Sequence, residues 1–328
     1  MFDVITVGSA TVDVFAQTKT SDLIKIFDAR GETDLLAYPI GSKILIEELH
    51  FTTGGGATNT AVCFARLGHK VACISKMGSG ANANKIKRQL QRDKVATSLL
   101  VCSRKGRTGY SIILDSKEHD RTILTYKGSN NDLDYHDIDI SKLAAQWFYF
   151  STQLGESFKT TVKLAKYAKQ KGIKIAFNAS EYLVSKGKTF LREILSRTNI
   201  FILNKEEAHI LIGAGSIQQT LKAIHKLGPN IVVITDGSKD FYAYDGSCIY
   251  SGKPNKAKVV ETTGAGDAFA ASFVSGMIKK KDISFALKLG AINAESVIQH
   301  HGAKNNLQTY KEAMTKIKHA PHIKKIKV

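Results

Sequence analysis

The chain has 328 residues, of which 43% are hydrophobic and 23% are charged, a composition typical of a folded globular protein. It excludes an intrinsically disordered chain, and no apolar run approaches the roughly 20 residues of a membrane helix. The net charge of +18 favours anionic ligands. Because zinc-finger, RNP and arginine-stripe patterns are absent, it indicates a solvated surface suited to phosphorylated small molecules rather than specific nucleic-acid binding.

Cysteine and histidine positions argue against a disulfide framework or a zinc site. The cysteines form no CxxC pair, and His300 and His301 diverge by about 100° on a helix, so they cannot bind one metal ion together. The first residues, MFDVITVGSATVDV, predict a strand rather than a signal peptide, so we expect a cytoplasmic protein. The scattered cysteines are Cys63, Cys73, Cys102 and Cys248.

The N-terminal part begins with strands and helices in alternation. Residues 3–9 predict a strand, and GGGATNTAVCFARLG (54–68) predicts a glycine turn followed by a helix. KVACISKMG predicts the next strand and NKIKRQLQRDK an amphipathic helix. The alternation then stops, because TSLLVCSRKGRTGYSIILDS and DRTILTYKG resemble antiparallel strands joined by glycine and charged turns.

Strands and helices alternate again from residue 141 to a final helix around 284–300. This rhythm predicts an α/β protein with a mainly parallel sheet covered by helices on both faces. Segments of about 15–52 and 97–130 do not fit the rhythm. We therefore expect residues 1–328 to form a single domain in which these segments build a small β-sheet lid.

Two common nucleotide motifs are excluded. SKGKT (185–189) ends like a phosphate-binding P-loop, but Tyr182 stands where that loop requires glycine. After the first strand the chain reads VGSATVD, which lacks the GxGxxG of a dinucleotide-binding fold.

The segment ETTGAGDAFAASF (261–273) places an acid at the start of an apolar helix. Phe269, Phe273 and Met277 share one face of that helix, which predicts that it is anchored by packing. The amides of the GAG triplet can hold an anion, and the acid can accept a proton from an attacking hydroxyl. The alternative is a favourable acid in the first turn of a core helix.

TTGAGDAFAASF resembles the C-terminal signature of the PfkB-type carbohydrate kinases, the ribokinase family, and GGGATNTAVCFARLG resembles their N-terminal signature. The two occur in the family's order. The resemblance implies a ribokinase-like three-layer fold with a small β-sheet lid. It also implies an ATP- and Mg²⁺-dependent kinase that transfers the γ-phosphoryl group to a hydroxymethyl group of a sugar or sugar-like alcohol.

The resemblance also implies residue roles. Asp267 would be the catalytic base, and Gly264, Ala265 and Gly266 would form the anion hole. Asp13 would bind sugar hydroxyls, and the sugar would also be lined by Gly54, Gly55 and Asn59.

Further positions match the nucleotide side of the family's site. Asn204 and Glu207 match the residues that serve Mg²⁺, through water, and the phosphates; by themselves they also read as a helix N-cap with an acidic first turn. The other nucleotide-binding matches are Thr235, Gly237 and Asn293. A monovalent cation, K⁺ in particular, would be held at Glu261, Thr263, Val297 and Gly302.

Several positions depart from the family pattern. Glu261 replaces the usual Asp, and Gly80 and Ala83 replace the acid and last glycine of G-x-D-x-x-G. Gly56 and Gly155 stand where ribokinases have Lys and Glu, which leaves room for a larger acceptor. A nucleoside kinase is therefore the alternative within the family, and a non-catalytic nucleic-acid-binding relative is the alternative outside it. The lid would exclude water, and its exposed sheet is a natural homodimer surface.

Overall fold

A computed structural model describes residues 1–18, 22–28, 31–116 and 122–328. Its main sheet has nine strands, six of which lie side by side in parallel orientation. The other three extend one edge of this sheet in antiparallel orientation. In spatial order the strands are β17 (Lys324–Lys327), β16 (Cys248–Gly252), β15 (Phe241–Tyr244), β14 (Ile231–Thr235), β13 (Ile200–Asn204), β12 (Lys174–Asn178), β11 (Ala145–Phe150), β1 (Phe2–Val7) and β6 (Val71–Ile74).

Both faces of this sheet are buried because successive side chains of a strand point to opposite faces. In β11, Trp147 and Tyr149 join one core cluster and Phe148 and Phe150 the other. The predicted α/β fold with a mainly parallel sheet is thereby confirmed.

Five helices pack on each face of the sheet in the described part of the chain. The first face carries α1 (Gly56–Arg66), α2 (Ala81–Arg92), α8 (Ala265–Lys280), α9 (Ile283–Val297) and α10 (Tyr310–Lys316). The second carries α3 (Gly155–Lys171), α4 (Glu181–Val184), α5 (Gly187–Leu195), α6 (Lys205–Ile212) and α7 (Ile217–His225). None of these helices is both long and apolar enough to cross a membrane.

A separate four-stranded sheet stands beside the main one, with its strands in the order β10 (Thr122–Tyr126), β9 (Gly109–Ser116), β2 (Thr11–Thr18) and β5 (Glu48–Gly54). The predicted lid segments contribute most of this small sheet, although β2 starts before residue 15. Within the second segment, β8 (Val101–Ser103) does not join the small sheet and instead pairs with β7 (Lys76–Gly78). Residues 19–21, 29–30 and 117–121 of the predicted lid lie outside the described part. The strands β3 (Asp22–Asp28) and β4 (Gly31–Ala37) form a two-stranded antiparallel pair.

The antiparallel edge of the main sheet was not expected from the sequence. Strands β15 and β16 form a hairpin around Asp245 and Gly246, where Gly246 has a φ of 92°. Asp-Gly between two apolar runs is a strong hairpin signal, so the sequence did contain the information. Phe241 of this edge packs against Phe269 of α8, with ring centroids 5.4 Å apart, so the edge supports the helix that the C-terminal signature begins.

Candidate active site

Two helix N-termini meet at the candidate site, and each starts at a glycine in a positive-φ conformation. The N-caps are Gly55 of α1 (φ 94°) and Gly264 of α8 (φ 84°), and neither helix has a side-chain cap. Side-chain oxygens cap α6, α7, α9 and α10, whereas α2, α3, α4 and α5 also have no side-chain cap. Two uncapped helix N-termini provide amide groups and a positive field for an anion.

The two signatures touch directly through Asn59 on α1 and Asp267 on α8. The Asn59 Nδ2 donates to Asp267 Oδ2 at 2.8 Å, across 208 residues of sequence. The Asn59 Oδ1 is buried without a partner in the described structure. The predicted catalytic acid and one predicted sugar-binding amide therefore lie side by side, and Asp267 does not simply cap its own helix.

Asp13 lies on β2, where the small sheet meets the first glycine pair. Its Oδ1 accepts from Thr11 Oγ1 at 2.8 Å, and the side chain is 7% exposed. A Cβ added to Gly54 would lie 1.7 Å from Asp13 Oδ2. Position 54 must therefore be glycine for this carboxylate to keep its place.

The two carboxylates have raised pKa values for the same main reason, which is burial. Burial raises the pKa of Asp267 to about 6, with a smaller rise from Asp13, while the Asn59 bond and the Lys304 charge act in the opposite direction. Burial also raises the pKa of Asp13, against hydrogen bonds from Thr11 and Ser111. The Asp267 side chain keeps some exposed surface, so protein atoms surround its carboxylate without closing it off. A carboxylate with a pKa near neutrality is suited to act as a general base.

Lys304 is a site residue that the sequence analysis missed. Its Nζ donates to the carbonyl and the Oγ1 of Thr53, both at 2.8 Å, immediately before the Gly54-Gly55 pair. Burial lowers the pKa of Lys304 to about 8, whereas the nearby Asp13 charge raises it. No local pattern in the sequence marks this lysine among the many others, because only the fold brings it to β5.

The segment 302–304 connects both halves of the site. The Gly302 N–H donates to Glu261 Oε2 at 2.8 Å, and a Cβ on Gly264 would lie 2.4 Å from that of Ala303. Together with the Lys304 bonds to Thr53, three consecutive residues contact the segment before α8 and the strand before α1. This segment fixes the spacing between the two glycine signatures.

The residues of the predicted anion hole differ in how open their backbone is to a ligand. Gly266 is exposed, and a Cβ added to it would meet nothing within 4 Å. The N–H of Ala265, however, donates to the Thr262 carbonyl at 3.2 Å within the turn. An anion would therefore meet open backbone at Gly266, while Ala265 already has an intramolecular partner.

The predicted cation positions lie around one buried carboxylate. Glu261 is 7% exposed, and its Oε1 and the Thr263 Oγ1 are buried without partners in the described structure. The backbone N–H of Glu261 donates to the Ile298 carbonyl, next to Val297, at 3.1 Å. Unpartnered oxygens around a buried acid fit a monovalent cation, so the extra methylene of Glu261 does not remove the donor set.

On the nucleotide side, Asn204 and Glu207 form a reciprocal capping box at the start of α6. Burial raises the pKa of Glu207 to about 7, with smaller rises from Glu206 and Glu181. Asn204 and Thr235 are paired at the ends of adjacent strands β13 and β14, and Gly237 follows in an exposed turn with a φ of 53°. The helix-cap interpretation is therefore realised, and a role of Glu207 beside a divalent cation stays a prediction.

Asn293 is placed differently from its predicted neighbours. It is fully buried in α9, and its Oδ1 accepts from the Gln308 N–H at 2.9 Å. Its Nδ2 is buried without a partner in the described structure. The side chain supports the segment after α9, and its contribution to an adenine site stays a prediction.

Ser151 explains one departure from the family pattern. A Cβ on Gly56 would lie 2.7 Å from Ser151 Cβ and Oγ, and 3.8 Å from Asp267 Oδ1. A lysine at position 56 would collide with Ser151, which directly follows β11. Gly56 and Ser151 thus belong together beside the catalytic acid, and the pairing could not be read from either residue alone.

Comparisons with known proteins identify the family of this chain. The model of the pfkB family carbohydrate kinases matches residues 23–310. The chain is 27% identical to a ribokinase of Haemophilus influenzae over 286 residues, covering 85% of this chain and 92% of the relative. It is 29% identical to a cytidine kinase of Thermococcus kodakarensis over 283 residues, covering 82% and 94%.

A solved structure has the same fold. Arabidopsis thaliana ribokinase complexed with ribose and ATP superposes with a TM-score of 0.82 at 21% identity, covering 97% of this chain and 99% of that one. This likeness confirms the ribokinase-like fold. With a family match over most of its length and both signatures joined through Asn59 and Asp267, the chain belongs to the pfkB family of carbohydrate kinases, which are ATP-dependent phosphotransferases.

Proposed function

We propose that this kinase transfers the γ-phosphoryl group of ATP to a hydroxymethyl group of a sugar or sugar-like alcohol. The observation that carries the proposal is the Asn59–Asp267 hydrogen bond, which places a half-buried base at the uncapped N-terminus of α8. Asp13, which lies against Gly54 just before α1, accepts acceptor hydroxyls. Its fixed position decides which hydroxyl faces Asp267.

The reaction is an in-line displacement. A bond forms between the acceptor oxygen and the γ-phosphorus, and the bond to the β–γ bridging oxygen breaks, so ADP leaves. Asp267 accepts the hydroxyl proton late, as the new bond forms, because an alcohol is too weak an acid to ionise beforehand. The amide of Gly266 and the positive end of α8 stabilise the charge on the phosphoryl oxygens.

Two metal ions are part of the proposal. Mg²⁺ would be held through water by Glu207, and it would neutralise phosphate charge when bound. K⁺ would be held by Glu261 and Thr263 with the backbone at Val297 and Gly302. Buried unpartnered oxygens at Glu261 and Thr263 support the second site.

We further propose a homodimer formed through the small sheet, in a cytoplasmic enzyme. Large apolar side chains of this sheet are exposed in the single chain, and a second copy would cover them. Sedimentation velocity tests the association. The exposed side chains on one face of the sheet are Leu49, Phe51, Ile112, Leu124 and Tyr126, and Ile123 is exposed on the other face.

A coupled ADP-release assay over sugars, sugar acids, sugar phosphates and nucleosides tests the function. We expect ATP-dependent turnover with at least one acceptor that has a free hydroxymethyl group. Faster turnover of cytidine, adenosine or inosine than of any sugar would favour the nucleoside kinase, which the cytidine kinase relative supports. The room expected at Gly56 is taken by Ser151 and does not add to that support. Salt-dependent nucleic-acid binding with no ADP release would favour the non-catalytic alternative.

The activity should depend on pH through Asp267. A base acts only when ionised, so kcat/KM should fall about tenfold per pH unit below the pKa of Asp267, which is about 6, and level off above it. Steady-state assays in buffers of constant ionic strength measure this acid limb. A profile that stays flat from about pH 7 down to about pH 4.5 would contradict the role of Asp267 as base.

Lys304 provides a matched variant for this profile. Its positive charge lowers the pKa of Asp267, so Lys304→Met should move the acid limb to higher pH, and Lys304→Arg should restore it. A merely structural effect would lower the rate at every pH and leave the position of the limb unchanged.

A further inference from the structure

Lys127 stands at the end of β10 on a turn that is fastened next to Asp13. The turn is a single 3₁₀ segment, Gly128–Asn131, and its Asn130 is 1% exposed. The Ala10 N–H donates to Asn130 Oδ1 at 2.8 Å, and Asn130 Nδ2 donates to the carbonyls of Ala10 and Lys127, both at 3.0 Å. Since Ala10 precedes Asp13 by three residues, these bonds fix the backbone of Lys127 relative to that carboxylate.

The ammonium group of Lys127 is half-buried and has no carboxylate partner among the described residues. Its Nζ lies 5.1 Å from the centre of the Tyr182 ring, at the start of the short helix that follows β12. Burial lowers the pKa of Lys127, and Asp13 is the charge that acts against this change. A cation in this state is stabilised by an anion from outside the chain.

The strand order of the small sheet, β10-β9-β2-β5, places Lys127 at one end of the site. Lys127 directly follows β10 and Asp13 lies on β2, whereas β5, at the other edge, leads into α1, whose Asn59 contacts Asp267. Asp13 therefore lies between Lys127 and the catalytic base. An acceptor whose hydroxymethyl group meets Asp267 and whose middle hydroxyls meet Asp13 has its far end near Lys127.

We propose that the acceptor of this kinase carries a negatively charged group, a carboxylate or a phosphate, at the end opposite the phosphorylated hydroxymethyl, and that Lys127 binds it. This inference rests on the proposed function and names the substrate class. The γ-phosphate of ATP is not the anion in question, since its transfer takes place at Asp267, on the other side of Asp13.

The chemistry of the site suits such an acceptor. An ammonium group forms strong charge-assisted hydrogen bonds with carboxylate and phosphate oxygens, and these bonds compensate its partial burial. A neutral sugar would leave that charge with the Tyr182 ring and the charge of Asp13, and with no direct anionic partner among the described residues. Gly56 and Gly155 have no side chain, so no charge at these two positions competes with that of Lys127 in determining which acceptors bind.

The test compares neutral and anionic acceptors with three variants. Purified full-length protein is assayed for ADP release with ribose, fructose, gluconate, 2-keto-3-deoxygluconate and fructose 1-phosphate, and binding of each is measured by calorimetry without ATP. The variants are Lys127→Gln, Lys127→Arg and, as a matched control, Lys163→Gln. Lys163 also lies over a tyrosine ring, with its Nζ 5.8 Å from the centre of Tyr135, but on the exposed surface of α3.

We expect the wild type to use an anionic acceptor with a kcat/KM at least about tenfold above that of the best neutral one, as a charge-assisted contact provides. Lys127→Gln should lower kcat/KM for the anionic acceptor about tenfold or more, mainly through KM, and change that for neutral acceptors less than about twofold. Lys127→Arg and Lys163→Gln should retain the wild-type preference. If the carboxylates are used and the phosphate is not, the anion is a carboxylate, and the reverse identifies a phosphate.

The outcomes separate this inference from the proposed function. Turnover of neutral acceptors alone, or an equal loss for neutral and anionic acceptors in Lys127→Gln, would overturn the inference and leave the kinase function intact. Binding of an anionic acceptor that depends on Lys127, without ADP release, would support the inference and overturn the function. If no acceptor binds or turns over, both are wrong.

Discussion

Asp267→Asn should lower kcat by about three orders of magnitude, equivalent to about 4 kcal/mol of transition-state stabilisation. Asparagine keeps the size of the side chain and cannot accept the hydroxyl proton, while its amide remains beside Asn59. ATP affinity should change little, because the backbone at the start of α8 is unaltered. Single-turnover kinetics with the acceptor found in the screen, together with ATP titration by calorimetry, measure the two quantities separately.

Glu156→Gln is the matched control for this variant. Glu156 is also an acid in the first turn of a helix, α3, where its Oε2 accepts from Lys159 on the exposed surface. Its loss should leave kcat within about twofold of the wild type, since an exposed first-turn acid contributes little beyond its own helix. If Asp267→Asn lost ATP affinity and thermal stability together with turnover, the acid would be a structural element of α8 rather than a base.

Gly54→Ala should lower kcat/KM for the acceptor by about two orders of magnitude, with most of the loss in KM for that substrate. The added Cβ would lie 1.7 Å from Asp13 Oδ2 and 3.0 Å from Thr11 Oγ1, so the carboxylate must leave its position. Its hydrogen bond from Thr11 would be broken, and the acceptor would lose the contact that orients it. The KM for ATP should remain near the wild-type value.

Gly80→Ala separates this collision from a general effect of adding a methyl group. A Cβ on Gly80 would meet nothing within 4 Å, and its φ of −85° is open to any residue. We expect wild-type kinetics for this control. An acceptor KM for Gly54→Ala that equals the control's would mean that Asp13 does not hold the acceptor.

The sequence predicted the sheet, the order of the helices and the residues that converge near Asp267, because these depend on local patterns. Periodic apolar residues fixed the faces of β11 and α8, and glycine-rich turns marked the starts of α1 and α8. The Asp245-Gly246 pair indicates a hairpin, but the prediction did not include it, so the antiparallel edge of the main sheet was not predicted. Recognition of the two signatures then paired residues that are distant in the chain, as the Asn59–Asp267 bond shows.

Other parts of the site depend on contacts that no local pattern encodes. Lys304 and Lys127 reach the cleft only because the segment after α9 lies against β5 and the turn after β10 is bonded to Ala10. The fit between Gly56 and Ser151 is likewise a matter of tertiary packing. The raised pKa of Asp267 follows from the same burial, which exists only in the folded chain.

The lysine-rich strand β17 has a consequence for the behaviour of the whole molecule in solution. It is the outermost strand of the main sheet, and its residues are exposed. An outer strand offers unpaired peptide groups to any neighbouring polypeptide, and this hazard increases with protein concentration. Three ammonium groups on four residues make another molecule of the same sequence an unfavourable partner there, so the extension of the sheet from one molecule to the next is opposed by charge.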